Sequence, residues 1–496
     1  MDLRIKPLEL ILATAEKKSL HRQLGPWQLT MLGIGAIIGT GIFVLTSVAA
    51  NSAGPAMMIS FVIAAVVCGL AALAYAELAS MVPVAGSAYT YSYAVMGELV
   101  AWIVGWALVL EYAVAAGAVS VGWSGYIHGI LRELGTTMPT ALMAGPFDTI
   151  TLPDGTTVAG TFNILASALA LMVTVVLVLG TSKSAKFNAV LVAIKLAALG
   201  VFIVLALPAI DGANFQPFMP NGFFANEREI GGAVLTVGVT AAAATIFFAY
   251  VGFDAVSTAA EETVNPNRNM PIGIIGSLGL CTLIYLLVAA GAVGAVGAQP
   301  GGELASSKEP LAFVLREIGY PWIGTAVALA AGLALPSVVL MMIYGQTRIF
   351  FVMSRDGLLP ERLSEVHPIF HTPHVITLIT GVAVALFAGL FPVRMLADIS
   401  NSGTLFAFAA VAAAVLILRR TDPGRERHFR LPAAWLVCPL AIGGCIFLFL
   451  NLSGHTELLF LGWTALGLAV YFLYGHRRSH LAPGSPYRPA PVRESA

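Results

Sequence analysis

The stretch GIGAIIGTGIF, residues 33–43, places four glycines within nine residues of an apolar segment. It lies inside residues 23–76, a run of 54 residues without a charged side chain. About 20 apolar residues are enough to cross a bilayer, so we expect a transmembrane helix here. Each glycine in a helix interior is about 1 kcal/mol less favourable than alanine, which predicts that this helix unwinds in its middle. Glycines also allow close helix packing, and this motif alone leaves both interpretations open.

Composition extends this conclusion to the whole chain. Of its 496 residues, 58% are hydrophobic and only 10% are charged, whereas a soluble globular domain has about 25% charged residues. The 26 basic and 26 acidic side chains balance, so nothing indicates nucleic-acid binding. All four cysteines lie within apolar runs and are interpreted as core residues. An ordinary soluble protein is excluded.

Charged, proline and glycine residues divide the chain into twelve predicted transmembrane helices. Their approximate bounds are 29–49, 55–79, 98–128, 161–180, 187–208, 232–260, 271–297, 320–351, 373–391, 397–418, 432–452 and 457–475. No cleaved signal peptide is expected, and the first span should direct membrane insertion. Residues 83–93 are apolar and tyrosine-rich but too short to span, which favours an interfacial or re-entrant helix at the inner gate.

The distribution of basic residues predicts the orientation. With both termini inside, 20 Lys and Arg residues fall on the cytoplasmic side and 5 on the outer side, which is a strong positive-inside bias. We therefore expect a multi-pass cell-membrane protein with cytoplasmic termini. The remaining basic residue is Lys195, about 13 Å along the fifth span from its inner end. A charge at that depth is expensive and marks a candidate functional residue.

A second interrupted helix is predicted in the sixth span. Residues 246–255, IFFAYVGFDA, place a glycine beside aromatic residues and a carboxylate. Broken helices at corresponding positions, the first and the sixth, indicate two inverted repeats of five helices with a substrate site between them.

Several longer motifs accompany the two breaks. They are residues 30–43, PVAGSAYTY at 83–91, FFAYVGFD at 247–254, EETVNP at 261–266 and RDGLLP at 355–360. In this order they resemble the amino acid, polyamine and organocation (APC) transporters, and within them the cationic amino acid transporter branch with its bacterial homologues. The resemblance covers residues 24–475. It implies an all-α polytopic fold of twelve helices, with a five-plus-five inverted repeat of the bacterial leucine-transporter type and two extra helices.

The resemblance also implies an organisation along the chain. Its parts are a cytoplasmic N-terminal segment at 1–26, the first repeat at 27–210, the second repeat at 211–420, helices 11 and 12 at 421–475, and a cytoplasmic tail at 476–496.

A zwitterionic amino acid needs a carboxylate site beside an ammonium site, and the two breaks offer both. The predicted donors to the carboxylate are the backbone amides of Ile38, Gly39, Thr40 and Gly41. The resemblance implies that the ammonium is accepted by the carbonyls of Phe248, Ala249 and Val251. The Phe248 ring is either an aromatic gate over the substrate or an ordinary packing residue.

Two carboxylates are predicted at membrane depth. Glu111 of the third span lies near the side-chain pocket in relatives that carry cationic amino acids, so it either meets a substrate cation or makes a structural hydrogen bond to a broken helix. For Asp254, a structural role at the break of the sixth span is preferred. The resemblance places Met342 beside the substrate side chain, where methionine leaves room for a short neutral group.

Lys195 is predicted to couple transport to protons. In the resemblance, a lysine of the fifth span replaces the sodium ion of sodium-coupled relatives, and burial makes the neutral form of a lysine accessible. The alternative is a permanently charged strut. No cofactor or metal is expected. Protons are predicted to be the coupling ion, and sodium coupling is not expected.

Together these features predict a proton-coupled importer of small neutral L-amino acids, with alanine as the first guess. An amino acid exchanger and a cationic amino acid transporter remain alternatives, as does a transporter-like sensor. An enzyme is not expected, because His367, His371 and His374 have no metal-binding spacing. The expected partners are the amino acid, membrane lipids and possible small accessory membrane proteins.

Overall fold

The computed structural model describes residues 4–7, 24–82, 84, 86–136, 138–151, 157–180, 184–230, 233–370 and 372–482. Within these ranges the chain is predominantly α-helical. Most of the predicted N-terminal segment and of the C-terminal tail lies outside the described residues, as do Pro83 and Ala85 of the tyrosine-rich motif.

Most helices follow one another with short connections, but long segments that contain the β-hairpins separate Glu133 from Ile164 and Ala206 from Val239. The first half of the chain contains α1 (Pro26–Ile37), α2 (Thr40–Phe43), α3 (Leu45–Ala53), α4 (Met57–Met81), α5 (Ser87–Val95), α6 (Glu98–Glu133), α7 (Ile164–Leu179) and α8 (Ser184–Ala206). The second half contains α9 (Val239–Ile246), α10 (Ala255–Thr258), α11 (Pro266–Val296), α12 (Glu303–Ser306), α13 (Pro310–Glu317), α14 (Pro321–Arg355), α15 (His374–Leu390), α16 (Val393–Thr421), α17 (Ala434–Phe449), α18 (Gly454–Val470) and α19 (His476–Arg478). Strands β1 (Thr149–Thr151) and β2 (Thr157–Ala159) form one antiparallel hairpin, and β3 (Asn226–Ile230) and β4 (Ala233–Val237) form another.

The helices have the length and composition of membrane spans. Among the described residues, eight helical stretches are long and apolar enough to cross a membrane. Three further apolar helices, α7, α15 and α17, have 16 or 17 residues. The chain is therefore a multi-pass helical membrane protein.

The long helix α6 is central to the packing. It packs against α14 and α16, while α11 packs against α1 and α4. On one side of α6, Trp102 donates to the carbonyl of Gly467 in α18 at 2.8 Å. The four cysteines are buried and free, as predicted from their apolar surroundings.

The sixth predicted span, 232–260, is wrong at its beginning. Residues Ala233–Val237 form β4, which pairs with β3 in the register Asn226↔Val237. Gly238 then has φ +118°, a conformation that favours glycine, and α9 begins at the next residue. The sequence AVLTV is rich in β-branched residues and pairs with an extended partner, so the chain forms a hairpin before it enters the helix.

The tyrosine-rich motif forms the short helix α5, and this helix is buried within the protein. Its residues from Ser87 to Tyr93 are all shielded from solvent. Tyr89 donates to a carboxylate oxygen of Asp356 at 2.9 Å, and Lys6 pairs with the other oxygen at 2.9 Å. The helix thus packs inside the protein against the end of α14, which carries the RDGLLP motif.

A buried carboxylate joins α4 to the end of α16 and to the loop that follows it. Glu77 is 1% exposed, and Arg419 donates to both of its oxygens, at 3.0 and 2.5 Å. The backbone amide of Leu431 adds a third hydrogen bond at 2.8 Å, and Arg427 lies 3.4 Å away. Because the ion pair is bidentate and fully hydrogen-bonded, the charge of Glu77 is compensated inside the protein.

Candidate functional site

The first broken helix interrupts the chain between α1 and α2. Ile38 leaves the helical conformation with ψ 98°, and Gly39 has φ −144° and ψ −148°. The amide of Ile38 donates to the carbonyl of Ile34 at 2.9 Å and so closes α1. Among the described backbone hydrogen bonds, none uses the amides of Gly39, Thr40 or Gly41. Three of the four predicted donors are therefore available to an anion, and Ile38 is not.

The second broken helix lies between α9 and α10. After α9 the residues Phe247–Tyr250 form one 3₁₀ turn, and Gly252 has φ +123°. The carbonyl of Phe248 accepts from the amide of Val251 at 3.3 Å. Within the described chain, no backbone donor reaches the carbonyls of Ala249 and Val251. These two predicted acceptors are available, whereas Phe248 already has one donor.

The two breaks touch each other at glycines. A Cβ atom added to Gly41 would lie 2.2 Å from the Cα of Ala249. A Cβ atom added to Gly252 would lie 2.8 Å from the carbonyl oxygen of Ala36. Only residues without side chains allow this approach, which brings the available amides of one helix beside the available carbonyls of the other. That arrangement has the donors for a carboxylate and the acceptors for an ammonium group.

Lys195 lies against the first break. Its side chain is 0% exposed, and its Nζ donates to the carbonyl of Gly35 at 3.0 Å, in the last turn of α1. Tyr285 of α11 donates to the carbonyl of Ile37 at 3.0 Å. A cationic group at this position faces the negative end of the α1 dipole. None of the described carboxylates forms an ion pair with Lys195.

Asp254 is fixed by the third predicted span. Tyr112 of α6 donates to its carboxylate at 2.9 Å, which ties the segment after the second break to α6. The structural hydrogen bond to a broken helix that was considered for Glu111 is thus made by Tyr112, the next residue in the chain. Glu111 itself points toward α16, where its Cβ lies 3.4 Å from the Cβ position of Gly403.

Glu111 is displaced along α6 from the available amides. The hydroxyl of Thr40 approaches the carbonyl of Val119 at 3.5 Å, and Val119 is eight residues, or about 12 Å, further along the helix than Glu111. The structure therefore brings Glu111 near Asp254 and away from the amides at the first break.

One face of α14 covers the site. Val338 is 3.4 Å from the Cβ position of Gly39, and Gly345 packs on the ring of Tyr112 with its Cβ position 2.9 Å from Cε1. Met342 is buried and lies on the same helical face between these two contacts. Phe248 is buried as well, at 6% exposure. The position of Met342 along this face is compatible with the predicted pocket for the substrate side chain.

Asp398 and its neighbours on α16 were not among the predicted site residues. Asp398 is 4% exposed and accepts from the hydroxyl of Thr245 in α9 at 2.7 Å. Asn401 donates to the carbonyls of Ala244 and Thr245 at 2.7 and 3.1 Å. These contacts fix the half-helix that leads into the second break. Asp398 lies at the edge of the predicted tenth span. Charged residues were used there to mark the ends of spans, so its carboxylate was not expected to be buried.

Replacing Thr245 by valine is expected to reduce transport severalfold and to lower the melting temperature. The change keeps the side-chain shape but removes the donor to Asp398, and a buried polar group left without its partner costs about 1–3 kcal/mol. Thermal unfolding in detergent and initial uptake rates in proteoliposomes measure the two effects. Thr245→Ser keeps the hydroxyl and should behave like the wild type; equal damage in both variants would contradict the role of the hydrogen bond.

The two touching breaks, inside a bundle of apolar helices, define a polytopic membrane transporter. The amino acid permease family model matches residues 24–474, and the chain belongs to this family. It is accordingly an amino acid transporter and not an enzyme.

Individual relatives match over 70% to 98% of their own length. The branched-chain amino acid permease BcaP of Bacillus subtilis (strain 168) is 46% identical over 476 residues, covering 95% of this chain and 97% of the relative. The methylthioribose transporter of the same organism is 40% identical over 479 residues, covering 96% and 98%. The chloroplastic cationic amino acid transporter 9 of Arabidopsis thaliana is 36% identical over 422 residues, covering 84% and 70%. The last of these supports the predicted cationic amino acid transporter branch.

Proposed function

We propose that this protein imports a neutral L-amino acid together with a proton. The observation that carries the coupling is the buried contact of Lys195 with the Gly35 carbonyl, 3.0 Å apart. A lysine in this position links the charge state of one side chain to the conformation of the broken helix. When Lys195 loses its proton, its attraction to the negative end of α1 weakens and the half-helix is freer to move.

The proposed architecture is twelve transmembrane helices with two inverted repeats, in the cell membrane, with both termini in the cytoplasm. It is supported by the breaks in the first and sixth spans and by the positive-inside bias of 20 to 5. Alternating access then means that the half-helices around the breaks move against α6, α14 and α16.

The carboxylate and ammonium groups that all amino acid substrates share are proposed to bind between the two helix breaks. Amides of Gly39, Thr40 and Gly41 receive the carboxylate, and carbonyls of Ala249 and Val251 receive the ammonium group. Oppositely charged groups of one small molecule then neutralise the ends of two half-helices, so binding needs no counter-ion from the protein.

For the substrate side chain, Val338, Met342 and Phe248 offer apolar surroundings, which favour a neutral side chain. Alanine remains the first proposal, since methionine narrows the pocket. Branched-chain amino acids are the second, because two relatives bear the name of branched-chain amino acid permeases, one of them 46% identical.

Uptake into proteoliposomes tests these proposals. Labelled alanine, leucine and arginine are offered with an imposed proton gradient, a sodium gradient or neither. Accumulation of a neutral amino acid on the proton gradient alone is the expected result. Accumulation that needs sodium contradicts the coupling, and counterflow without net uptake indicates an exchanger. Competition by unlabelled methylthioribose tests whether the site requires the ammonium and carboxylate groups.

Replacing Met342 by serine is expected to widen the pocket and admit larger or cationic side chains, arginine included. Removing the thioether frees the volume of several heavy atoms at a buried position. The ratio of arginine uptake to alanine uptake should rise at least tenfold, which corresponds to about 1.4 kcal/mol. The neighbouring Met341, only partly buried, gives the matched control Met341→Ser. An unchanged profile for Met342→Ser would place the side-chain pocket elsewhere.

A further inference from the structure

Glu111 is a deeply buried carboxyl group without a hydrogen-bond partner. Its residue is 1% exposed, and neither Oε1 nor Oε2 has a partner among the described residues. Ser400 of α16 donates to the backbone carbonyl of Glu111 at 3.2 Å, so that hydroxyl does not serve the carboxyl group. An unpaired carboxylate inside a protein is strongly unfavourable, whereas a neutral carboxylic acid is tolerated.

The groups around Glu111 do not compensate a negative charge. The titratable side chains that face it are Asp254 after the second break, Tyr112 on its own helix and Tyr75 on α4. From α16 it meets Ser400 and the nearby hydroxyl of Thr404, neither of which titrates. The Thr404 hydroxyl donates to the carbonyl of Ser400 at 3.1 Å, so its hydrogen is not directed at the carboxyl group. Within the described chain, no lysine, arginine or histidine pairs with it. Its charged neighbour is an acid, and two acids close together favour a shared proton.

Glu77 provides an internal comparison. It is as buried as Glu111, at 1% exposure, yet the Arg419 guanidinium and the Leu431 amide bind both of its oxygens. The same protein therefore surrounds one buried glutamate with cationic and amide donors and gives the other none. This difference separates a structural carboxylate from a carboxyl group that can hold a proton.

We propose that Glu111 and Asp254 form a second protonation site of this transporter, with one proton held by Glu111 in the conformation described and released toward the cytoplasm. In the release step the O–H bond of Glu111 breaks, the proton passes to water, and the carboxylate remains. Repulsion between the two carboxylates then loosens the segment that Tyr112 holds through Asp254. The assignment of a proton to Glu111 is independent of Lys195. Only the role of this proton in transport rests on the proposed function.

A line of buried hydroxyl groups leads from this pair toward α5. Tyr75 faces both acids and also Ser87 at the start of α5, and Tyr91 of α5 faces Ser257 of α10. The hydroxyls of Tyr75, Ser87 and Tyr91 all lack hydrogen-bond partners among the described residues. Buried polar groups of this kind are usually satisfied by internal water, which also conducts protons. The line approaches the end of α14 through the neighbouring Tyr89, which binds Asp356.

Infrared difference spectroscopy on the full-length protein in liposomes tests the protonation site directly. At neutral pH the wild type should show the carbonyl stretch of a protonated carboxylic acid, and Glu111→Gln should lose this band. Glu77→Gln, the matched control, should keep it. A band unchanged in Glu111→Gln, or absent from the wild type, overturns the proposal.

Thermal unfolding gives a second readout that does not depend on transport. Glutamine resembles a neutral glutamic acid, so Glu111→Gln should leave the melting temperature unchanged, while Glu77→Gln should lower it because two arginines lose their partner. A large loss of stability in Glu111→Gln would mean that the carboxylate is ionised and compensated, which contradicts the proposal.

Counting protons separates this site from Lys195. Protons entering per substrate are measured from pH changes inside proteoliposomes, for the wild type, Glu111→Gln and Lys195→Met. If both sites work as proposed, Glu111→Gln carries fewer protons per substrate and still responds to the pH gradient. Loss of the infrared band with an unchanged proton count refutes the release step. A response to the pH gradient that persists in Lys195→Met refutes the proposed function and leaves Glu111 as the coupling group.

Discussion

Lys195→Met is expected to abolish amino acid accumulation driven by a pH gradient. Methionine fills the same volume but cannot donate to the Gly35 carbonyl, and it cannot change its charge. The buried carbonyl that loses its donor costs about 1–3 kcal/mol, which shifts the preferred position of α1. Uptake of labelled alanine and leucine into proteoliposomes, with inside and outside pH set independently, should fall to the level of empty liposomes.

The design of this experiment separates coupling from folding. Lys308→Met is the control, since the Lys308 side chain is about half exposed and pairs with Asp148 at 3.4 Å; it should accumulate substrate like the wild type. Melting temperature confirms that the Lys195 variant is folded. If Lys195→Met remained folded and still accumulated substrate on a pH gradient, Lys195 would be a strut and another group would carry the proton.

Gly41→Ala is expected to eliminate measurable substrate binding. The added Cβ would lie 2.2 Å from the Cα of Ala249 and 3.0 Å from its backbone nitrogen, so backbone must move. The amides and carbonyls that are proposed to bind the substrate would then separate. Apparent affinity, measured by substrate-induced thermal stabilisation, should weaken at least 100-fold, which corresponds to about 2.7 kcal/mol.

Gly279→Ala is the matched control for Gly41. Gly279 lies in α11, where an added Cβ meets no atom within 4 Å. Alanine is about 1 kcal/mol better than glycine in a helix, so this variant should be equally active and slightly more stable. Unimpaired binding in Gly41→Ala would show that the two breaks do not form the substrate site together.

Local sequence indicated both interruptions, although the glycine motif of the first span alone was equally compatible with close helix packing. The charge-free stretches require membrane-spanning helices at these places. The four glycines of residues 33–43, and Gly252 beside aromatic residues, weaken those helices. The structure has these breaks at Ile38–Gly39 and after Ile246. The deep position of Lys195 was also visible, because a lone lysine in an apolar run is rare. These features depend on nearby residues and on the membrane, so no knowledge of distant contacts is needed.

Hydrogen-bond partners were less predictable. Nothing near Glu111 in sequence indicates that Tyr112 rather than Glu111 reaches Asp254, 142 residues further along the chain. Nor does the sequence around Ile38 show that its amide closes α1. Asp398 was missed because a carboxylate near the end of a predicted span is normally solvated, and its contact with Thr245 is made only in the folded protein.

The sequence by itself determined that this protein crosses the membrane repeatedly, and it indicated two broken helices and a resemblance to amino acid transporters. Tertiary structure alone decided which groups meet: Gly41 with Ala249, Lys195 with Gly35, and Glu77 but not Glu111 with arginines. The physical reason is that hydrophobicity and helix propensity act over a few residues. The state of a buried polar group instead depends on donors and charges that folding brings from elsewhere in the chain.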